Sequence, residues 1–197
     1  MMVDGTITAG NSTVQLNLAA FNKTLSLADG ALVQAAGAIQ YIADRMVLGS
    51  ASATVTDTLN HEVFLQPYTN GRLIKLGEAD ADDALGLASA ELNTITARGL
   101  IIGDSAQLSG DISFGGIGAF NFTSSPILAV ITAGSVTQSM PLTASKLVII
   151  AAGPVTLDNP GNDVDELAAS IGGAASAFNF VDSDDLTIAA LGSLDLG

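Results

Sequence analysis

Leu147-Val148-Ile149-Ile150-Ala151-Ala152-Gly153-Pro154-Val155-Thr156-Leu157 is a short apolar beat, a Gly-Pro step and a second β-prone beat. The first beat is written again as Met46-Val47-Leu48, as Leu100-Ile101-Ile102 and, more loosely, as Leu186-Thr187-Ile188. Each copy follows a small or polar lead-in: Ile42-Ala43-Asp44-Arg45, Ile95-Thr96-Ala97-Arg98, Leu142-Thr143-Ala144-Ser145-Lys146 and Asp182-Ser183-Asp184-Asp185. The second beat recurs at 52–56, at Ile112-Ser113-Phe114 and at Leu194-Asp195-Leu196. Repetition on this scale predicts a solenoid, whose function resides in its surface and length more than in one pocket.

Elsewhere period-2 patterns dominate, as in Val14-Gln15-Leu16-Asn17-Leu18, Leu25-Ser26-Leu27, Val63-Phe64-Leu65, Leu73-Ile74-Lys75-Leu76 and Phe178-Asn179-Phe180. Alternate residues of such strands point to one face. The strongest helical pattern, 163–170, amounts to one or two turns. An antiparallel fold would leave two-residue hairpin turns, and Asn70-Gly71 is the one dipeptide of that form between matched strands. Small residues at corners, recurring aliphatics, 21 glycines and 13% charged residues favour stacked parallel coils instead. The starts of successive beats, at 46, 100, 147 and 186, are unevenly spaced. Each interval then holds roughly two coils of about 20 residues with loops of variable length. The expected architecture is all-β: a right-handed parallel β-helix (β-solenoid) with short strands and variable loops, forming one domain over 1–197.

Hydrophobic residues make up 48% of the chain and mean hydropathy is +0.48, which demands extensive burial. No apolar run approaches the roughly 18 residues of a membrane span; 147–152 is among the longest and Gly153-Pro154 ends it. Six Lys and Arg against 20 Asp and Glu give a net charge of −14, which opposes nucleic acid and anionic membranes. The absence of cysteine excludes disulfides and thiolate metal sites. Met1-Met2-Val3-Asp4-Gly5 has neither the basic nor the apolar region of a signal peptide, so none is expected there.

Several strings together resemble a known family. They are Ile42-Ala43-Asp44-Arg45-Met46-Val47-Leu48, Val63-Phe64-Leu65-Gln66-Pro67, Gly71-Arg72-Leu73-Ile74-Lys75-Leu76-Gly77 and Ala90-Glu91-Leu92-Asn93-Thr94-Ile95-Thr96-Ala97. Later come Gly153-Pro154-Val155-Thr156-Leu157, Asn162, Leu167-Ala168-Ala169, Phe178 and Asp185-Leu186-Thr187-Ile188. In their order over about residues 40–197 these resemble the β-helical repeat region of filamentous haemagglutinin-like bacterial exoproteins. The resemblance implies a right-handed parallel β-helix, export by two-partner secretion, localisation outside the cell or at the bacterial surface, and a role in adhesion or as a fibre. The Asn-Pro-Asn-Gly motif of such exoproteins' secretion domain is absent, so the chain resembles an interior segment or a divergent filament subunit.

The residues capable of chemistry point the same way. His61 is the single histidine, placed at a turn before Val63-Phe64-Leu65, and no Gly-x-Ser-x-Gly elbow surrounds a serine. A zinc site would have to be built mostly of carboxylates. Acids gather at Glu78-Asp80-Asp82-Asp83, Asp158-Asp163-Asp165-Glu166 and Asp182-Asp184-Asp185. Of these, Asp80, Asp82, Asp83, Asp182, Asp184 and Asp185 have the oxygen chemistry for calcium, although no EF-hand or calcium β-roll motif is present, and solvated loop carboxylates are the expected role. Paired acids also suit a glycosidase, which makes a β-helical polysaccharide hydrolase or lyase the alternative function. Against it, the cations Lys23, Arg45, Arg72, Lys75, Arg98 and Lys146 are scattered, and three of them precede the repeated beat as a corner feature would. Phe120 with Phe122 and Phe178 with Phe180 are expected inside, Asn121 and Asn179 outside, and Asn162 buried against turn backbone. A third idea, a flat Thr face for ice or surfaces, draws on Thr6, Thr8, Thr54, Thr56 and Thr58. No catalytic residue and no cofactor are assigned. The expected partners are a host-cell or matrix surface or glycan, and further copies stacked end to end, since 186–196 stays strand-like.

Overall fold

The structure is a computed structural model that describes residues 1–56, 60–104, 109–174 and 176–190. Strands β1 (Met2–Val3), β2 (Thr6–Ala9) and β3 (Val14–Asn17) form a first turn with three faces. The second turn is β4 (Thr24–Leu27), β5 (Leu32–Ala35) and β6 (Ile39–Ile42), and the third is β7 (Arg45–Leu48), β8 (Ala53–Val55) and β9 (Glu62–Gln66). Next come β10 (Leu73–Leu76), β11 (Ala84–Leu87), the single helical turn α1 (Ser89–Leu92), β12 (Ile95–Thr96) and β13 (Gly99–Gly103). The remaining turns pair a short strand with a long one: β14 (Ile112–Phe114) with β15 (Phe120–Thr132), β16 (Val136–Gln138) with β17 (Leu142–Ala151), β18 (Val155–Leu157) with β19 (Asp163–Ile171), and β20 (Phe178–Phe180) with β21 (Thr187–Ile188). Every pairing between these strands is parallel, giving an all-β solenoid of about 8 turns.

Stacking in register explains why the same residue types recur. One inward ladder runs Val14, Ile39, Val63, Leu100, Leu128, Leu147, Leu167, and a second runs Leu16, Tyr41, Leu65, Ile102, Val130, Ile149. Both contribute to one continuous core. On the neighbouring face Ile74, Ile112, Val136 and Val155 stack in the same way. Phe114 and Phe120 meet edge to face, with ring centroids 5.2 Å apart. Successive levels of the long sheet, such as Leu128, Leu147 and Leu167, follow at the expected coil length of about 20 residues.

Several expectations change. Residues 163–170 form strand β19, not a helix, because β17 offers a paired edge from Thr143 to Ala151. Asn70-Gly71 makes a corner between strands of different sheets, with Gly71 at φ +72°, and not a hairpin. Met46-Val47-Leu48 stacks on Leu25-Ser26-Leu27, whereas Leu100 and Leu147 belong to the long sheet, so the repeated beats occupy two different faces. Phe120 and Phe122 are buried as expected, but Phe178 is 41% exposed and Phe180 only half-buried, since they lie in the last described turn. Leu194-Asp195-Leu196 and Thr58 lie outside the described residues.

The long sheet is apolar on its outer side as well. Ile101, Ala129, Val148 and Ala168 stack in register between the inward positions and are almost fully buried, with Phe64 and Ala189 continuing the stripe. The consecutive apolar residues of Leu100-Ile101-Ile102 and Leu147-Val148-Ile149 therefore mark strands covered on both faces.

One strand is out of order. β11 pairs with β10 and packs against β7, while β10 pairs onward with β14, so chain order is reversed at this level. Only residues 77–83 join these parallel neighbours, where a crossover of a dozen or more residues is usual. Arg72 makes the short return possible. Its buried guanidinium donates to the carbonyls of Asp44 (2.7 Å), Ala81 (3.1 Å), Asp82 (3.3 Å) and Ala84 (3.1 Å) and to Asn22 Oδ1 (3.2 Å). A planar five-donor fork can do this and an ammonium cannot. Arg72→Lys should lower unfolding free energy by about 2–4 kcal/mol, read by urea denaturation. Amide exchange in 77–87 should accelerate before that of β13, and equal acceleration along the whole chain would contradict this role.

Candidate functional site

From the fifth turn onward the long strands bend. Phe120–Phe122 of β15 pairs with Leu142–Ala144 of β17, and pairing resumes at Ile127 with Lys146, so Thr123-Ser124-Ser125-Pro126 stand opposite Ser145 alone. That bulge raises a wall. The wall is tied to the turn below: Asn93 Nδ2 donates to Asn121 O (3.1 Å), Thr123 N donates to Asn93 Oδ1 (3.3 Å), and Ala97 N donates to Ser125 Oγ (3.2 Å). Beyond it, the bends of β17 and β19 form the floor of a trough of about 530 Å³ that includes Thr143, Ser145, Asp163 and Asp165.

The trough is polar and acidic. Asp163 stacks on Thr143, and Ser145 Oγ donates to Asp165 Oδ2 at 3.0 Å. Lys146, the nearest cation in sequence, is engaged by Glu166 at 3.3 Å. At the far end Asp182 Oδ1 accepts Val164 N at 3.2 Å. Burial foremost, with the charges of Asp184 and Asp163 adding to it, holds the Asp182 carboxyl above the usual range. Outside the bulge at Thr123-Ser124-Ser125-Pro126 the backbone of β15, β17 and β19 is largely committed to inter-turn pairing, and hydroxyl and carboxylate side chains are the main polar groups lining the trough.

The other sequence-derived residues serve the scaffold. Arg45 pairs with Asp82 at 2.7 Å, Arg98 pairs with the buried Glu62, and Lys146 pairs with Glu166, so each recurrent cation bridges to an acid at another level of the stack. His61 precedes β9, and its carbonyl accepts Arg98 N at 3.0 Å. Asn162 is buried as expected: it donates to the carbonyls of Leu157 (3.1 Å) and Val181 (2.9 Å) and accepts Leu142 N (3.1 Å). Thr54 lies in the core, its hydroxyl sharing a 2.9 Å hydrogen bond with Tyr41, and Thr56 is buried too. Exposed Thr6 and Thr8 stack on Leu32 and Gln34, so no flat threonine face forms across these turns. Asp83, Asp184 and Asp185 are exposed. Among the described residues no three His, Cys, Asp or Glu side chains gather so as to hold a metal ion, and no helix is long and apolar enough to cross a membrane.

Two roles had no sequence signal. Asp44 is fully buried at a corner, where Asn22 N (2.8 Å), Thr69 N (2.7 Å) and Thr69 Oγ1 (2.6 Å) donate to its carboxylate. Burial alone would raise this carboxyl, but those bonds and the Arg72 charge hold it below the usual range. Glu91 accepts Leu48 N (3.0 Å) and Ala88 N (2.9 Å), joining α1 to β7.

No family model, curated protein or solved structure matches this chain.

Asp80, in the return loop, accepts Gly86 N at 3.0 Å. Burial is the main reason that its carboxyl is pushed up to about 6, with Glu91 adding repulsion. Glu91 is itself raised, by burial. The folded state then holds these protons more tightly than the unfolded chain. The contribution of Asp80 is complete below about pH 4 and is lost as pH rises through about 6, and that of Glu91 is lost in the same direction. Asp80→Asn should therefore stabilise the protein at pH 7 by about 1–3 kcal/mol, with the gain vanishing near pH 4. A gain independent of pH in urea titrations would disprove the assignment.

Proposed function

We propose that this chain is a structural and adhesive segment of a secreted bacterial surface or extracellular fibre, acting without catalysis. The observation that carries the reading is the stack of about 8 parallel turns, joined along its length by one eight-stranded sheet. In such a stack length is gained turn by turn, while each turn needs only its neighbours. The resemblance of residues 40–197 to filamentous haemagglutinin-like repeats supports an adhesin and a two-partner secretion route. The strong negative charge keeps a long apolar-cored rod soluble and argues against nucleic acid as a partner.

Both ends of the described stack favour axial association. Among the described residues β3 pairs with β6 alone and β21 with β19 alone. Met2 and Phe21 in the first turns, and Val181 and Ile188 in the last, are exposed apolar side chains. Unpaired strand edges with apolar surroundings recruit further strands. Electron microscopy of the purified chain should show rods whose length grows with concentration in steps of about 40 Å, eight turns at about 4.8 Å each. Compact particles of constant size at every concentration would remove the stacking claim.

The trough favours a second reading. Asp163 and Asp165 are two carboxylates on one concave surface, the minimum for acid-catalysed glycoside cleavage. Lys146, however, is paired with Glu166. Should the chain cleave a glycan, the Asp163→Asn and Asp165→Asn variants must each lose that activity; unchanged turnover in either would eliminate the hydrolase.

A further inference from the structure

We propose that the trough across the bends of β15, β17 and β19 binds an extended amine-bearing sugar chain, of the glucosamine type, lying along the solenoid axis. The proposal rests on the adhesive reading and names its ligand chemistry.

The shape comes first. The floor advances one level per turn, from Thr143 and Ser145 to Asp163 and Asp165, while Thr123-Ser124-Ser125-Pro126 closes one end. Turns rise by about 4.8 Å, close to the length of one pyranose in an extended chain. A trough of about 530 Å³ then holds two or three sugar units in register with the turns. The wall is fixed by Asn93 and by the Ala97 N to Ser125 Oγ bond, so the concavity exists before ligand arrives.

Chemistry then selects the ligand. An added peptide strand would need a run of free backbone donors and acceptors; the paired stretches of β15, β17 and β19 use theirs between turns, and in the unpaired segment Thr123-Ser124-Ser125-Pro126 the Thr123 N–H is taken by Asn93 and Pro126 has none. The hydroxyls of Thr123 and Thr143, with the acceptor lone pairs of Ser124 and Ser145, whose protons go to Leu92 O and Asp165 Oδ2, instead offer the donors and acceptors that a polyol needs. Neutral sugars are usually gripped by aromatic faces, but the aromatic ring in the lining, Phe122, is buried in the core. Binding must therefore draw on charge, and the charges here are Asp163 and Asp165, with Asp182 bonded to Val164 beside them. Uronic and sulfated chains would be repelled. The ammonium group of the sugar at the third level would meet Asp163 and Asp165, while the sugars at the two levels below set their hydroxyls against the serines and threonines.

The test uses the full chain and three probes: β-1,4-glucosamine oligomers, the same oligomers fully N-acetylated, and oligogalacturonate. Calorimetry at low salt should show binding of the glucosamine oligomer, weakening as salt is raised. The other two probes should bind at least about tenfold more weakly, and Asp163→Asn with Asp165→Asn should cost about tenfold with the thermal midpoint unchanged. A control that removes the same charge elsewhere, Asp4→Asn with Asp83→Asn, should bind as the parent does. Equal weakening by the control would overturn the site, and equal binding of the acetylated oligomer would overturn the amine requirement. An oligolysine of matched charge that binds as tightly, and is lost in the same trough variant, would replace the sugar by a peptide. Rods in the microscope without glucosamine binding would reject the ligand and leave the fibre; binding by compact particles would do the reverse.

Discussion

Parallel pairing between successive turns is the constraint on which the rest of this molecule depends. No turn satisfies its own strand backbone; the N–H and C=O groups point along the axis and find partners only in the turns above and below. Register then fixes the environment of every side chain. A position that faces inward in one turn faces inward in the next, and for that reason Val63, Leu100, Leu128, Leu147 and Leu167 are interchangeable aliphatics. The low charge of the strands and the crowding of acids at corners follow from the same rule.

Corners are where that rule gives out, because a chain changing direction leaves backbone groups without a neighbouring strand. Buried polar side chains take over there. Asp44 receives two backbone N–H groups from other turns, Asn162 links three levels, and Arg72 gathers four carbonyls. Each is expensive to bury and stays buried because its bonding capacity is nearly filled. The surface pairs of Arg45 and Lys146 contribute less, since water screens them.

The solenoid was legible in the sequence because alternation and repetition are local signals that register merely multiplies. Which face each beat occupies was not: Met46-Val47-Leu48 and Leu147-Val148-Ile149 look alike, and only the chain length between them decides the sheet to which each returns. Residues 163–170 read as helix because Val164, Leu167 and Ala168 fit a 3.6-residue period, yet the edge of β17 outweighs that propensity. Asn162 could be foreseen, as an Asn before a bend has few other uses. The trough could not, for Thr123-Ser124-Ser125-Pro126 has the composition of any loop, and its role as a wall arises only when β17 and β19 bend beside it.

The reversed pair β10 and β11 connects these themes. On one face the three-stranded sheet β1, β4, β7 meets the six-stranded sheet β11, β10, β14, β16, β18, β20 where β11 packs against β7 without pairing, so that face holds nine strands against eight in the long sheet. At about 4.8 Å per strand that face gains a layer which the long sheet lacks, and the turns must tilt or change shape to absorb it. They change shape at once: the third face ends at β12, and β15 bends so that its Thr123–Ser125 segment is bonded to the level of α1 and β12. Three short faces become a short strand and a bent long one. The concave surface of that bend is the trough, which opens one turn beyond the strand inserted out of order. Arg72 and Glu91 hold the insertion through their bonds to Ala81, Ala84, Leu48 and Ala88, and neither lines the trough.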